Sequence, residues 1–496
     1  MVKDLNFVSP ESQGVQSKEI LKFIDYLKRE KLNFHSFMFV KDGNILGEAY
    51  AKPFIDENTL HRIYSSGKTY VAMAIGKLIG DKLLSLDDKL ISFFPEFDIN
   101  LVNEKHRETT IRDALTMSVP LDFPVYATDN NWMRGFFLNE QNPCSIDTGV
   151  VFRYSTPATF ILCVIIRRLT GKSYLEVLRP IFDKIGVGDD IWCVLSPDGY
   201  EHGGSGTMTT LRDFAKMGEF IMNKGCVDGE QLIPLEYMEQ ATSKQISTYV
   251  LDDFYEKNVY HPTKSNGYGF QMWMHKHGFC LLGIYNEKII CFPEKNFMFV
   301  VMGDSHISAD YWYSRLEDIY LSISDTPLEE SEDYSILQKE LAGYNMPVGY
   351  GEKHSITEEK VNGVTYKLNE NCMNIDSFTL DLKEDEGTFN FVKNGENKVI
   401  KFGLEKFVLD YFPETHYPNE QLRQPANRMS KCVSSASWVD EKTLLIRAHS
   451  IDTFIFSVHT YLTFNGDKVV LNMQSVAESF MKKGEYSGLV QGEKIK

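Results

Sequence analysis

Apolar residues near the start of the chain recur at the spacing of an amphipathic helix. Within residues 17–31 they stand at Ile20, Leu21, Phe23, Ile24 and Leu27, with a serine at the beginning of the stretch. This spacing places the apolar side chains on one face. The pattern therefore predicts a helix that buries that face against a core.

The next apolar runs are typical of strands. Residues 37–40 and 45–50 flank Asp42-Gly43, and this dipeptide between two such runs is a strong signal for a β-hairpin. Residues 71–79 then form an almost wholly apolar run, as expected of a buried helix. A helix and two strands are thus predicted to precede a buried helix.

The middle of the chain is predicted to be mostly helical. Residues 202–210 are rich in glycine, which indicates a turn or a close approach of the backbone to a neighbouring element. The predicted helices are a capped short helix at residues 85–95 that ends at a proline, and helices at residues 111–117, 160–169 and 211–223.

Strand patterns return after residue 268. Residues 269–274, 278–283, 288–292 and 297–302 are strand-like, and residues 308–323 are helical. Short turns join the strands, so we expect an antiparallel sheet. Because the region begins with a helix and a hairpin and ends with strands and a helix, its two ends can meet in one sheet.

The end of this region is marked by an acidic segment. Residues 325–333 contain a proline and lack periodicity, which indicates a linker. Beyond a short helix near residues 336–341, strand-like runs alternate with turns. We predict an α+β domain at residues 1–325, a linker at residues 326–334 and a β-rich domain at residues 335–496.

Composition and charge narrow the class of protein. The chain has 496 residues, an apolar share of 43% and a charged share of 24%, as in globular proteins. The formal net charge is −17, which argues against nucleic acid or an anionic membrane as a partner. We expect a small-molecule substrate, and the sequence leaves the oligomeric state open.

The same composition suggests a compartment. Eight cysteines are widely spaced without a Cys-x-x-Cys pair, which favours reduced thiols. The first residues lack a secretory pattern, and no apolar stretch reaches membrane-spanning length. We therefore expect a cytoplasmic protein.

The candidate chemistry lies at the start of the predicted buried helix. Ser65 and Lys68 are three residues apart, so on a helix the amine lies beside the hydroxyl. A lysine can take the serine proton if desolvation lowers its pKa, and the free N–H groups of a helix start can stabilise an oxyanion. Alternatively, Ser65 is only a helix cap; a second such pair exists at Ser479 and Lys482.

Residues 62–76, followed by residues 84–88, resemble the beta-lactamase-related serine hydrolases. This family includes class C beta-lactamases, D-alanyl-D-alanine carboxypeptidases, esterases and 6-aminohexanoate-dimer hydrolases, and the resemblance extends over roughly residues 8–325. It implies an antiparallel sheet flanked by helices, plus a helical subdomain. It also implies that Ser65 is the nucleophile and Lys68 its base partner.

The family's second motif, Tyr-x-Asn, is matched by residues 154–156. The resemblance implies that Tyr154 transfers the proton to the leaving group and activates the deacylating water. Thr156 stands in place of the asparagine. It retains a hydroxyl but lacks the simultaneous donor and acceptor groups of an amide. The alternative for Tyr154 is an ordinary core tyrosine.

The family's third motif, Lys-Thr-Gly or His-x-Gly, aligns with residues 281–283. Gly283 occupies the glycine position, and Leu281 stands where the lysine or histidine would be. The resemblance implies that the N–H groups of Ile284 and Ser65 form the oxyanion hole. Loss of the cation argues against tight recognition of a substrate carboxylate. This pattern, with Glu287 near a family glutamine, is closer to the amide and ester hydrolases; the alternative is an ordinary strand.

Other candidate residues carry less weight. The histidines at positions 61, 202, 275 and 277 have no metal-ligand spacing, and we expect neither a metal nor another cofactor. Three aromatic residues in or beside the polar loop at residues 127–142 line an acyl pocket or only pack at the surface: Tyr126, Trp132 and Phe136.

These residues predict a serine hydrolase that cleaves a small ester or amide through an acyl-enzyme on Ser65, with Lys68 and Tyr154 as proton-transfer partners. One alternative is a D-amino-acid peptidase or carboxypeptidase. The other is a catalytically idle relative that serves in binding, signalled by the altered second and third motifs.

Overall fold

We describe the chain from a computed structural model. The structure describes residues 5–121, 131–138, 144–249, 266–304, 310–414, 429–451, 455–477 and 485–495. The described residues form two compact units. The first comprises those within 5–29 and 34–345, and the second those within 30–33 and 346–495.

The helices of the described residues lie almost wholly in the first unit. They are α1 (Ser17–Arg29), α2 (Gly67–Gly80), α3 (Glu104–Arg107), α4 (Ile111–Leu115), α5 (Trp132–Leu138), α6 (Thr156–Thr170), α7 (Tyr174–Ile185), α8 (Leu211–Met222), α9 (Leu235–Ala241), α10 (Asp310–Ser322), α11 (Glu332–Ala342) and, in the second unit, α12 (Glu358–Val361). None of these described helices has both the length and the apolar character needed to cross a bilayer.

The strands are divided between the two units. Those of the first are β1 (Asn6–Phe7), β2 (Phe34–Lys41), β3 (Asn44–Tyr50), β4 (His61–Arg62), β5 (Trp192–Cys193), β6 (Thr207–Thr209), β7 (Cys226–Val227), β8 (Glu230–Gln231), β9 (Trp273–His275), β10 (Gly278–Leu282), β11 (Lys288–Phe292) and β12 (Phe297–Gly303). Those of the second are β13 (Thr365–Leu368), β14 (Ile375–Leu382), β15 (Glu386–Lys393), β16 (Glu396–Leu404), β17 (Val408–Tyr411), β18 (Lys431–Trp438), β19 (Thr443–Ser450), β20 (Phe456–Asn465), β21 (Lys468–Ala477) and β22 (Gly488–Lys494).

A seven-stranded sheet in the order β1-β3-β2-β12-β11-β10-β9 organises the first unit. The predicted hairpin forms: Lys41 pairs with Asn44, and Asp42 and Gly43 both have positive φ, as a tight turn requires. β12 pairs antiparallel with β2, so the two ends of the region meet in one sheet as expected. The predicted α+β class is confirmed.

The core of this sheet is aromatic on the side covered by α1 and α10. Phe23 of α1 contacts Phe39 and Phe299 in edge-to-face geometry, with ring centroids 5.5 and 5.1 Å apart. Trp312 of α10 contacts Phe299 and Phe23 and is fully buried. Ring pairs in this geometry stabilise a core beyond the area that they bury.

The predicted helix at residues 85–95 is wrong over most of its length. The Ser85 N–H donates to the Asp88 carboxylate, and the backbone of residues 86–90 exchanges hydrogen bonds with residues 109–112 instead of forming helical ones. A 3-10 turn at Leu90–Phe93 remains. Turn-forming side chains here offer the backbone other partners, and pairing with a distant segment satisfies the rest.

Helix α11 lies in the first unit, whereas the sequence analysis placed residues 332–334 in the linker and residues 335–342 in the second domain. Leu337 is fully buried, and Leu341 contacts Gly47 of β3. The buried Tyr344 donates its hydroxyl to the Phe34 carbonyl at 3.0 Å. Apolar burial thus holds the segment after the acidic linker on the first sheet.

The second unit is a ten-stranded sheet in the order β16-β15-β14-β13-β22-β21-β20-β19-β18-β17. An added parallel pairing of β16 with β18, Gly403 opposite Ser435, closes the sheet on itself. Its interior holds stacked rings such as Tyr366 and Phe378, whose centroids are 5.3 Å apart. The expected β-rich C-terminal region is confirmed.

Candidate active site

Ser65 lies where a 3-10 turn, Tyr64–Ser66, runs into α2. The preceding strand β4 pairs with β6, and the Ile63 N–H donates to the Thr207 carbonyl. Tyr64 has a φ of 45°, a strained conformation for an aromatic residue. Arg62 holds it there, since its guanidinium lies 4.6 Å from the Tyr64 ring and donates to the Ser205 carbonyl. The half-buried Ser65 therefore stands on a fixed turn.

Lys68 lies on the first turn of α2 and reaches Ser65. Its Nζ is 2.9 Å from Ser65 Oγ and 2.5 Å from the Gly204 carbonyl oxygen. The side chain is fully buried, and this burial lowers the pKa of the amine to about 7. Because the carbonyl can only accept, one amine hydrogen points at Gly204, and the lone pair of the neutral amine is available to the Ser65 hydroxyl.

Glycines bring the carbonyl of Gly204 to this amine. A Cβ on Gly203 would lie 2.6 Å from Val71 of α2 and 2.7 Å from Cys163 Sγ, and one on Gly204 would lie 2.8 Å from the Thr156 methyl. Side chains at these positions would push the segment away from the helices. The predicted close approach of the glycine-rich segment is confirmed.

Tyr154 lies on the other side of Lys68. The Lys68 Nζ is 5.0 Å from the centroid of the Tyr154 ring, which stacks on Trp273 at 5.5 Å. Tyr154 immediately precedes the cap of α6, where Ser155 Oγ accepts from the Ala158 N–H. Thr156 is the first residue of α6, and its methyl faces Gly204. The structure thus places the Tyr154 ring beside the Lys68 amine, and Thr156 beside Gly204, whose carbonyl that amine contacts.

The turn after β10 approaches Ser65 from the sheet. Gly283 donates its N–H to the Glu287 carbonyl at 2.7 Å, and a Cβ on Gly283 would lie 2.6 Å from the Ile63 carbonyl oxygen. Tyr285 has a φ of 67°, and its ring contacts the Tyr64 ring at 5.3 Å. The turn that carries Ile284 therefore packs directly against the turn that carries Ser65.

Two backbone donors at this junction are free. In the described part of the chain, neither the Ser65 N–H nor the Ile284 N–H donates to a protein acceptor. The Ile284 side chain is 47% exposed, whereas Leu281 is fully buried in the sheet. The arrangement offers main-chain donors to an oxyanion, and the aligned position of the third motif presents an apolar side chain to the core.

Glu287 and Gly204 make contacts at the site that the sequence did not predict. Glu287 is fully buried, and its carbonyl accepts from the Ser66 hydroxyl at 2.7 Å. Its carboxylate lies 3.3 Å from His61 Nδ1. Burial raises the pKa of this carboxyl to about 7. The available signal was an acid immediately before a largely apolar strand-like run at residues 288–292.

The remaining histidines pack in the core. Burial lowers the pKa of His202 well below its usual value, and the ring contacts Trp132. His275 accepts from or donates to the Tyr313 hydroxyl, and burial lowers its pKa to about 4. His277 pairs with Glu317 at 2.7 Å. These contacts give each ring a structural role.

The aromatic residues considered for an acyl pocket lie inside the first unit. Trp132 and Phe136 of α5 are 3% and 2% exposed. Trp132 packs edge-to-face on Phe160, and Phe136 packs on His106. Their position favours packing over lining a pocket. Tyr126 lies outside the described residues.

Comparison with known proteins identifies relatives of the first unit. A family model described as Beta-lactamase matches residues 35–312. A 6-aminohexanoate-dimer hydrolase of Paenarthrobacter ureafaciens is 19% identical over 223 residues, which cover 41% of this chain and 56% of the relative. The match thus spans just over half of that relative's length. An uncharacterized protein of Alkalihalophilus pseudofirmus is 21% identical over 300 residues, covering 53% of this chain and 82% of that protein.

The chain also has a counterpart of similar fold among solved structures. The structure named "Putative 6-aminohexanoate-dimer hydrolase from Bacillus anthracis" superposes with a TM-score of 0.50 at 21% sequence identity. The superposition covers 65% of this chain and 87% of that one. At this identity, the likeness shows a shared fold.

Proposed function

The chain belongs to the beta-lactamase family, and we propose that it is a serine hydrolase that cleaves a small ester or amide through an acyl-enzyme on Ser65. The family supports a serine hydrolase in general. The observation that best supports an acyl-enzyme on Ser65 is the position of Lys68 Nζ, which lies 2.9 Å from Ser65 Oγ. The Lys68 side chain is fully buried, and this burial lowers the pKa of its amine to about 7. An uncharged amine at that distance is a suitable base for the hydroxyl.

In the proposed acylation, Ser65 Oγ attacks the substrate carbonyl carbon. The hydroxyl proton moves to Lys68 Nζ, and the carbonyl oxygen becomes an oxyanion held by the Ser65 and Ile284 N–H groups. The bond between the carbon and the leaving group then breaks, and the proton passes through Tyr154 to the leaving group. The product is an ester on Ser65.

Deacylation reverses these roles with water. Water attacks the ester carbon while Tyr154 and Lys68 take its proton, and the bond to Ser65 Oγ breaks. Oγ recovers the proton, which restores the starting enzyme and releases an acid. No other reactant is needed, because the water supplies both the oxygen and the hydrogen that are consumed.

The substrate class follows from the charges near Ser65. The aligned third-motif position holds the buried Leu281 instead of a cation, so a carboxylate beside the scissile bond would lose its partner there. This favours a neutral ester or amide over a substrate with a carboxylate at that position, such as the peptides expected for a carboxypeptidase. The relative named as a 6-aminohexanoate-dimer hydrolase is consistent with an amide as one such substrate.

Reaction with a fluorophosphonate probe and hydrolysis of p-nitrophenyl butyrate test the proposal. We expect both in the wild type, and a loss of at least about 10⁴-fold in Ser65→Ala, since removal of the nucleophile leaves only binding and oxyanion stabilisation. Ser479→Ala removes the serine of the other Ser-x-x-Lys pair and should keep the wild-type rate. Labelling that survives Ser65→Ala would place the nucleophile elsewhere, and absence of labelling in every variant would favour the idle binding relative.

A further inference from the structure

Four buried polar side chains form a row behind the turn that carries Ile284: Glu287, His61, His35 and Asp304. Glu287 Oε1 lies 3.3 Å from His61 Nδ1, His61 Nε2 lies 2.8 Å from His35 Nδ1, and His35 Nε2 lies 3.8 Å from Asp304 Oδ2. The four residues are at most 3% exposed. None of them has a part in the hydrolytic steps described above.

Glu287 connects this row of side chains to both sides of the proposed oxyanion hole. Its carbonyl accepts from the Gly283 N–H at 2.7 Å, which closes the turn around Ile284, and from the Ser66 hydroxyl at 2.7 Å, next to Ser65. Its carboxylate accepts from the Gly303 N–H at 3.2 Å and contacts His61 of β4, the strand that leads into the Ser65 turn. One residue therefore fixes the Ile284 turn relative to Ser65.

Two of the three contacts have hydrogen-bond length, namely Glu287 to His61 and His61 to His35. The third, His35 Nε2 to Asp304 Oδ2, is too long at 3.8 Å to be a hydrogen bond. Glu287 Oε2 is buried and has no hydrogen-bond partner among the described residues, so it is a place where a proton can bind.

The surroundings of Glu287 determine when that proton binds. The groups that face the carboxyl are His61, the Gly303 N–H and, farther away, Lys288, whose amine binds Asn286. Burial raises the pKa of the Glu287 carboxyl to about 7, although each of these neighbours lowers it. Protonation would remove the negative charge that orients the His61 ring, and the contact between β4 and the Ile284 turn would weaken.

We infer that Glu287 is a positioning residue of the oxyanion hole: through His61, Ser66 and Gly283, its ionised side chain and its carbonyl hold the Ile284 N–H against Ser65. The inference rests on the proposed function. It predicts that hydrolysis requires an ionised Glu287 as well as an uncharged Lys68. Because an amide keeps the shape of the carboxylate but is neutral and does not titrate, Glu287→Gln fixes the site in the equivalent of its protonated state and is the informative conservative variant.

The pH dependence of kcat for p-nitrophenyl butyrate tests the inference in the full chain. In the wild type, log kcat should fall with a slope of about 2 below pH 6, because both Glu287 and Lys68 must lose a proton. Glu287→Gln should reduce that slope to about 1 and lower kcat at pH 8 by about 10-fold, because the neutral amide mimics the protonated acid. Glu287→Ala should lower kcat at pH 8 by about 10- to 100-fold with little change in KM, as expected for a displaced oxyanion donor.

A matched control separates positioning from stability. Glu11 is also buried, at 2% exposure, and accepts two hydrogen bonds of 2.8 Å from Ser17. Glu11→Ala should lower the melting temperature without changing kcat at pH 8 or the slope. A structural role for Glu287 would produce this same result.

The outcomes distinguish failure of the inference from failure of the proposed function. A slope of 2 that persists in Glu287→Gln overturns the inference, even if Glu287→Ala does not fold. So does a folded Glu287→Ala with a wild-type kcat. In both cases activity that is lost in Ser65→Ala leaves the proposed function standing. Hydrolysis that is unchanged in Ser65→Ala overturns the proposed function and this inference with it.

Discussion

The two sides of the candidate site are built in different ways. On the proton-transfer side, Ser65 and Lys68 are three residues apart at one end of α2. On the oxyanion side, Glu287 meets Ser66 across 221 residues of sequence. The first arrangement follows from helix geometry, whereas the second exists only after two distant turns have packed together. Local spacing thus brings together the groups that we propose to react, and tertiary contacts supply their alignment.

The two sides also differ in how their buried charges affect the stability of the fold. Lys68 is a fully buried amine that forms no ion pair with a described acidic residue, so its charged form opposes folding. On the oxyanion side, the buried carboxyl of Glu287 is compensated by His61 and the Gly303 N–H. Substitutions on the proton-transfer side should therefore separate rate from stability most clearly.

Among variants that keep Ser65, Lys68→Met should have the largest effect on rate. The variant keeps the apolar stem but removes the base, so acylation of Ser65 should fall by about 10²–10⁴-fold, measured with the fluorophosphonate probe. Lys77→Met, on the same helix, removes an amine that pairs with Asp81 near the surface and should react at the wild-type rate. Equal rates for Lys68→Met and the wild type would remove Lys68 from the proton-transfer side.

The same variant should be more stable at neutral pH. Burial lowers the folded-state pKa of Lys68 from 10.5 to about 7, so between these values the unfolded chain binds more protons and stability rises with pH. At pH 7, Lys68→Met should raise the free energy of unfolding by about 1–3 kcal/mol after the loss of the Gly204 hydrogen bond. Urea titrations should show this gain shrinking toward pH 10.5; a gain that grows with pH would contradict the burial of an uncharged amine.

Tyr154→Phe should have the next largest effect. The ring contacts with Lys68 and Trp273 are retained, and only the hydroxyl is lost, so kcat for the ester should fall by about 10²-fold. Tyr237→Phe is the matched control, because its hydroxyl donates to the carbonyl of Ala72, a residue of α2 away from the reacting groups. If both variants lose the same modest amount of activity, the Tyr154 hydroxyl is structural.

Gly283→Ala tests the position of the Ile284 turn, because it adds a methyl group without removing any polar group. The added Cβ would meet the Ile63 carbonyl oxygen at 2.6 Å, so the Ile284 turn must shift and kcat should fall by about 10- to 100-fold. Gly278→Ala, at the far end of the same strand, meets Cys291 and Pro293 as closely and should reduce the melting temperature without this loss in kcat. Equal kcat values for the two variants would mean that the turn does not position a reacting group.

Thr156→Ser should have the smallest effect. The substitution removes the methyl that faces Gly204 and keeps a hydroxyl at the start of α6. We expect kcat to change by less than about threefold, since the contact supports the Gly204 segment without reaching the reacting atoms. Steady-state kinetics with the ester measures the change; a loss as large as that of Tyr154→Phe would assign the threonine a direct role.

The sequence predicted the parts of the fold that depend on local contacts better than the parts that depend on distant ones. Helices α1, α4, α6 and α8 and the hairpin between β2 and β3 were predictable, because their periodicity, caps and turn residues are local. The helix predicted at residues 85–95 is wrong because that segment pairs with residues 109–112. Helix α11 packs on the first unit through Leu337 and Leu341. No local sequence pattern indicates on which unit this helix packs.

The candidate site shows the same limit. The spacing of Ser65 and Lys68, and the resemblance to the family, were enough to single out two side chains that lie 2.9 Å apart in the structure; their role in catalysis stays a prediction. Gly204 and Glu287 were not predictable as partners, because a carbonyl acceptor and a buried carboxyl are recognised only by what they contact. Desolvation of Lys68 likewise depends on neighbours from several elements.

The pH dependence of Ser65 acylation, measured with the fluorophosphonate probe in the Glu287→Gln background, tests the central claim most directly. There, Lys68 is the group expected to titrate, and the rate should rise with a slope of 1 and level off above an apparent pKa of about 7. A rate that stays constant from pH 5 to pH 9, or a profile that is unchanged when Lys68→Met is added, would contradict activation of Ser65 by a buried, uncharged lysine.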